Sequence, residues 1–193
     1  IHKLGKDYGR SDYGQGKRVL VEFVSANPTG PMHMGNARGG VLGDALASVL
    51  DAAGYYVERE FYINDAGNQV NKFGASLEAR YLQIFKGEDA IPFPEDGYKG
   101  ADIIAHAENF AKEYGDKYVE ASQQERRAAL VDYALPKNIQ GLHDDLLRYR
   151  VEYDNWFKES SLHENGSVEK VVELLKEKGA TYEKDGAVWF HGE

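Results

Sequence analysis

With 193 residues, 42% of them hydrophobic, the chain can bury the core of one good-sized domain, or of one domain carrying an insertion. A net charge of -9 and a pI near 5.2 argue against nucleic-acid binding through the whole surface and leave only local basic patches, such as Lys17-Arg18 and Arg126-Arg127. The absence of cysteine excludes a disulfide framework and thiolate metal sites. No apolar run approaches the roughly 20 residues that span a bilayer, and nothing resembles a signal peptide, so a soluble, cytoplasmic chain without membrane contact is expected.

Residues 1–17 are rich in glycine and charge and read as a linker or irregular arm. "RVLVEFVS" is a short apolar, branched run, expected to form a strand buried on both faces. Val41, Leu42, Ala45, Leu46, Val49, Leu50 and Ala53 recur at helical spacing, and Gly54 suits the position past the helix end. "YYVEREFYI" predicts a second strand; Val70, Phe73, Leu77, Tyr81 and Ile84 mark a second helix. Strand, helix, strand, helix is the pattern of parallel βαβ units.

A loop with two prolines, "KGEDAIPFPEDGYKG", opens a polar helical region with a stripe of Ile104, Ala107, Phe110, Ala111, Tyr114 and Tyr118. Pro136 is expected to divide this region before a further stripe of Ile139, Leu142, Leu146 and Tyr149. "VEYDNWFKES" predicts a third strand, Ser167 a cap for the helix ending near Gly179, and "TYEKDGAVWFHG" a hairpin turning at Asp185-Gly186. The Ile start and the unpartnered strand-like end suggest a fragment.

Between the first strand and helix stands "SANPTGPMHMGNARGG". A strand-to-helix turn in a parallel sheet lies at the carboxyl ends of the strands, where ligands bind. The helix start offers free backbone N–H groups and partial positive charge, which suit phosphate. Glycine admits close approach to the backbone, and proline stiffens the turn before a ligand arrives. Neither a Walker A loop nor Gly-x-Gly-x-x-Gly is present. Instead, His33 and Asn36 stand one turn apart, and both can donate hydrogen bonds to phosphate oxygens.

The run from "VEFVSANPTGPMHMGNARGG" to "FYINDAGNQV" closely resembles the first half of the catalytic domain of arginyl-tRNA synthetases, a class I family. "YDNWFKESSL" and "YEKDGAVWF" resemble later parts of it, so the likeness covers roughly residues 19 to 193. The family's His-x-Gly-His signature stands here as His33-Met34-Gly35-Asn36, the last position keeping a donor but losing a titratable group. The resemblance implies an α/β fold of the Rossmann-like class I synthetase type: a parallel sheet, interrupted by a helical insertion and truncated at the C-terminus. The expected divisions are an arm at 1–17, the first part of the catalytic domain at 18–84, the insertion at 85–140, the resumed domain at 141–179, and the start of a second, hairpin insertion at 180–193.

The implied reaction is ATP-dependent activation of L-arginine to arginyl-adenylate, then transfer to tRNA(Arg), with Mg²⁺ accompanying ATP. By similarity, His33 and Asn36 are catalytic, and Pro31, His33, Gly35 and Asn36 bind ATP. Glu22, Ser25, Asn27 and His33 bind arginine, Glu22 helping to select a cation. Asp65 and Gln69, at the next carboxyl-end turn, either face ligand or cap the helix. Arg126, Arg127 and Lys137 are weaker candidates for touching tRNA, since charged helical faces are usually just solvated. The histidines outside the signature have no metal-ligand spacing, so no metal site is expected. Lacking the second signature loop and the anticodon-binding domain, the fragment is expected to be a monomer inactive by itself. Competing readings are another class I-like nucleotidyltransferase and a truncated, non-catalytic binding module.

Overall fold

The structure, a computed structural model, describes residues 2–192 and divides into two compact units, residues 1–157 and 158–193. In the first unit, strands β1 (Arg18–Glu22), β2 (Tyr56–Ile63) and β3 (Asn155–Lys158) form a sheet with β2 in the middle. β1 and β2 run parallel, with Arg18 opposite Tyr56 and Glu22 opposite Glu60, and helix α1 (Met34–Ala52) makes the crossover. This is the βαβ unit expected of the alternating apolar runs. Helices α2 (Asn68–Lys86), α3 (Ala101–Tyr114) and α4 (Gln123–Arg148) follow before β3.

Two hydrophobic clusters hold this unit. One joins Val21, Phe23, Phe61 and Ile63 from the sheet side to Ala47 of α1 and Leu142 and Leu146 of α4. Phe61 stacks on Trp156 at 4.4 Å between ring centroids, and Tyr153 donates its hydroxyl to the Phe23 carbonyl at 3.0 Å. Burial pushes the Tyr153 phenol well above its ordinary range. The other cluster is wholly helical: Phe73, Leu77 and Tyr81 of α2, Ile103, Ala107 and Phe110 of α3, and Leu130 and Ala134 of α4.

Several expectations are corrected. β1 is buried on one face only: Val21 is inside, while Arg18, Leu20 and Glu22 are exposed. The strand stands at the end of the sheet order, and its one buried residue, Val21, belongs to the cluster with Phe23, Phe61 and Ala47. On α1 most of the expected stripe faces outward, Leu42 being 73% and Val49 65% exposed, and only Leu50 of its large residues packs against the cluster. The inward face is Gly40, Gly43 and Ala47, because the Phe23 ring occupies the space beside Gly43: a Cβ there would lie 2.1 Å from it. On α3, Ile103 rather than Ile104 enters the core.

Pro136 does not divide the helical region; it lies inside the continuous α4. The proline removes the bond to the Asp132 carbonyl, but Leu130 and Ala134 anchor the helix in one cluster and Leu142 and Leu146 in the other.

In the second unit, α5 (Ser160–Glu164) and α6 (Ser167–Glu177) precede the antiparallel pair β4 (Thr181–Lys184) and β5 (Ala187–Phe190). Asp185 and Gly186 both take positive φ, 54° and 75°, as a tight hairpin tip requires. Ser167 is not the cap of α6; it is the first helical residue, and Gly166, in the left-handed region, precedes it. Asn165 Oδ1 accepts from the Ser167 N–H at 2.9 Å and takes over the capping role.

Candidate active site

The turn leaving β1 is strained. Val24 and Ser25 both have positive φ, 66° and 41°, unusual above all for a β-branched residue. Ser25 explains how the strain is held: its hydroxyl donates to Glu22 Oε1 at 2.6 Å and accepts from the Tyr62 N–H at 3.1 Å. One side chain thus ties the carboxyl end of β1 to that of β2. Pro28 and Thr29 are buried beneath the turn, while Asn27 is exposed.

His33 is the N-cap of α1, and the signature residues make a reciprocal cap. The Gly35 N–H donates to His33 Nδ1 at 3.1 Å, and the His33 N–H donates to Asn36 Oδ1 at 3.1 Å. Nδ1 therefore acts as acceptor, the neutral imidazole carries its proton on Nε2, and the Asn36 carboxamide turns its Nδ2 away from the cap. Two donors, His33 Nε2–H and Asn36 Nδ2–H, remain for a ligand. Gly35 is needed for a reason internal to the turn: a Cβ there would lie 2.9 Å from the His33 ring.

Ser25, Asn27, Pro31, His33, Asn36 and Gln69 line one cavity of about 440 Å³, together with Val24, Ala26, Thr29, Gly30 and Tyr98. Gly35, Glu22 and Asp65 are not among its lining residues; Glu22 connects to it through Ser25. The N-cap position of α2 is held by Gly67, which has no side chain to cap with, and not by Asp65. The parallel register sets Glu22 beside Glu60, whose carboxylate accepts from Asn155 Nδ2 at 2.6 Å.

Tyr98 was not singled out from sequence, where its segment reads only as a loop. Its N–H donates to Ser76 Oγ at 2.9 Å, and Lys72 pairs with Asp96 at 2.7 Å beside it. That pairing holds the Lys72 ammonium pKa up and the Asp96 carboxyl pKa down. A lone tyrosine between glycines was the only available signal.

Among the weaker candidates, Arg126 is committed elsewhere. It is 11% exposed, bonds Glu78 Oε1 at 2.9 Å and donates to the carbonyls of Tyr118, Val119 and Ala121. Arg127 meets the other oxygen of Glu78 at 2.6 Å, and Lys137 lies 3.7 Å from the centre of the Tyr133 ring. Among the described residues no group of three or more His, Asp or Glu could hold a metal ion, and no helix is long and apolar enough to cross a membrane.

The two residues of the reciprocal cap thus also line the cavity. A family profile for the catalytic domain of class I tRNA synthetases (R) matches residues 3–191. The chain belongs to this family. It is 61% identical over 190 residues to the arginine–tRNA ligase of Acetivibrio thermocellus, and 64% identical over 190 to that of Caldanaerobacter subterraneus; each match covers 98% of this chain and 34% of the relative. The chain thus spans about a third of the length of these curated relatives. A Campylobacter jejuni chain solved as a candidate arginyl tRNA synthetase superposes with a TM-score of 0.81 at 31% identity, covering 98% of this chain and 40% of that one. Thermus thermophilus arginyl-tRNA synthetase, at 21% identity and a TM-score of 0.57 over 96% of this chain and 32% of that one, shares the fold. This family membership accounts for the class I α/β architecture described above.

Proposed function

We propose that the chain is the ATP- and arginine-binding part of an arginine–tRNA ligase. The reaction is activation of L-arginine to arginyl-adenylate and transfer to tRNA(Arg). The observation that carries the reading is the reciprocal cap, which leaves His33 Nε2–H and Asn36 Nδ2–H as spare donors on residues lining the cavity at the start of α1.

In the first step an oxygen of the arginine carboxylate attacks the α-phosphorus of ATP, the bond to the bridging oxygen breaks, and pyrophosphate leaves. His33 and Asn36 donate to phosphate oxygens as their charge builds, and Pro31 and Gly35 keep the turn in place. Ser25 and Asn27 hold the amino and carboxylate end of arginine. Glu22, with Glu60 beside it in register, supplies the negative field that a guanidinium requires. Gln69 lines the same cavity and faces ligand, whereas Asp65 has a weaker claim.

The cavity lining carries no carboxylate, so Mg²⁺ arrives as part of the Mg–ATP substrate and no step runs through a protein-held metal. The protein is taken as cytoplasmic and monomeric, residues 85–140 as an insertion, and 180–193 as the start of another.

Calorimetric titration of the chain with Mg–ATP tests the core of this reading: binding is expected, and its loss in His33→Ala confirms the route. No ATP binding by a cooperatively folded chain would sink it. Arginine- and tRNA-dependent pyrophosphate exchange is expected to be absent for the chain alone. It should appear when the chain replaces the equivalent segment of the Acetivibrio thermocellus relative. Asn36→His in that graft should be tolerated, because a neutral imidazole can also accept at one nitrogen and donate at the other.

A further inference from the structure

Pro28 lies in the middle of the turn and is fully buried. Its carbonyl belongs to no strand or helix. It accepts a hydrogen bond from Asn138 Nδ2 at 2.9 Å, from a residue 110 positions away on α4. The oxygen of the same carboxamide meets Nε2 of His106, on α3, at 2.7 Å.

The directions of these bonds follow from one atom. A carbonyl oxygen only accepts, so Asn138 must turn its amide hydrogens to Pro28 and its oxygen to His106. The imidazole must then donate, carrying its proton on Nε2. The chain of donors runs His106 to Asn138 to Pro28.

Pro28 is five residues before His33. Thr29, Gly30, Pro31 and Met32 intervene; burial of Thr29 and the fixed φ of Pro31 limit how much of a tilt at Pro28 the turn can absorb. Neither Asn138 nor His106 lines the cavity. We propose that Asn138 is a positioning residue: held by His106, it fixes the Pro28 carbonyl and thereby the place from which His33 and Asn36 present their donors. For its kinetic consequence this inference rests on the functional reading above. The helical pair α3–α4 thus acts on phosphate chemistry at one remove. Loss of the bond leaves a carbonyl of a buried residue unpaired and frees the turn to shift, and displacements of about 1 Å can cost 100-fold in rate.

The test uses the chain grafted into the Acetivibrio thermocellus relative. Pyrophosphate exchange is measured with tRNA present, with active sites counted. Asn138→Ala is expected to lower kcat by about 10- to 100-fold, with KM for arginine within about 3-fold and the melting temperature lowered by only several degrees, so that the variant stays folded at the assay temperature. His106→Gln keeps an N–H donor and should stay close to the parent, whereas His106→Phe should lose about 5-fold. An unchanged kcat per counted site in Asn138→Ala would overturn the proposal, as would equal losses in His106→Gln and His106→Phe. If the unsubstituted graft fails to activate arginine, the functional reading is what fails. The positioning role is then judged on the chain itself, by the backbone amide NMR signals of Thr29, Gly30, Gly35 and Asn36. Shifted or broadened signals in Asn138→Ala support it, and unmoved ones overturn it.

Discussion

The helical cluster of α2, α3 and α4 and the sheet cluster around Phe61 bury their apolar residues by different geometries. In the helical cluster three stripes meet, and large side chains fill the middle: Phe73, Tyr81 and Phe110 are all inside. In the sheet cluster the covering helix α1 brings Gly40, Gly43 and Ala47 inward, while Val41, Leu42, Leu46 and Val49 are exposed and only Leu50 of the large residues packs against the cluster. The ring of Phe23 supplies the bulk that α1 does not. Apolar residues at helical spacing show that a helix has an apolar face; they do not show that this face looks inward. Glycine and alanine on the opposite side are the sign of close approach to a strand.

Substitutions can break this contrast, and the largest effect belongs to the helical cluster. Phe110→Ala should cost about 3–5 kcal/mol in urea unfolding of the chain, since a fully buried ring touching Tyr81, Tyr118 and Tyr133 leaves a cavity. Less than about 1 kcal/mol would mean the three stripes do not close a core.

Gly43→Ala comes next. With a Cβ 2.1 Å from the Phe23 ring, helix or ring must move, and a loss of about 1–3 kcal/mol is expected. Gly39→Ala is its control: no atom stands within 4 Å, so the same change should stabilise α1 by up to about 1 kcal/mol.

Tyr153→Phe should cost about 1 kcal/mol at neutral pH, through the lost bond to the Phe23 carbonyl. Its pH dependence is more telling. Burial raises the folded-state pKa of Tyr153 above its ordinary value of 10.0, so the folded chain holds that proton more tightly than the unfolded chain. The associated stability is intact below about pH 10 and is lost as pH rises from there towards the folded-state value. Tyr153→Phe should therefore lose stability less steeply than the parent above pH 10; parallel curves would contradict this burial. The smallest effect is expected for Leu42→Ser, within about 0.5 kcal/mol, because the side chain already faces water in this chain.

The sequence was most legible where local chemistry and tertiary packing agree. Asp185-Gly186 announced a hairpin because both central positions need positive φ, and the branched and aromatic run of β2 announced a second strand, which the sheet places in the middle. Its reading stopped short where distant residues decide the outcome. Pro136 looked like a break, but Leu130, Ala134, Leu142 and Leu146 hold the helix on both sides of it. At the site, the sequence pointed to the His33–Asn36 turn, and the two residues do line one cavity with Ser25, Asn27 and Gln69. It could not show that each spends one hydrogen-bonding atom on capping α1. Tyr98 and the Asn138–His106 pair escaped because they reach the turn through loop closure and helix packing, which leave no local pattern.

The 110-residue span of the Asn138–Pro28 bond also bears on time. The helical cluster is assembled from residues 73 to 134, and its contacts close loops of modest size. Ser25 ties the turn to Tyr62 at shorter range, but its fastening is complete only when residues 138 and 153 return to Pro28 and Phe23. Chain closure over such distances is slow relative to local helix pairing. The turn between β1 and α1 should therefore be the last part of its unit to become rigid. In pulse-labelled refolding, amides of α2 and α3 should gain protection before the Asp154 N–H, which donates to the Arg59 carbonyl across the same long closure.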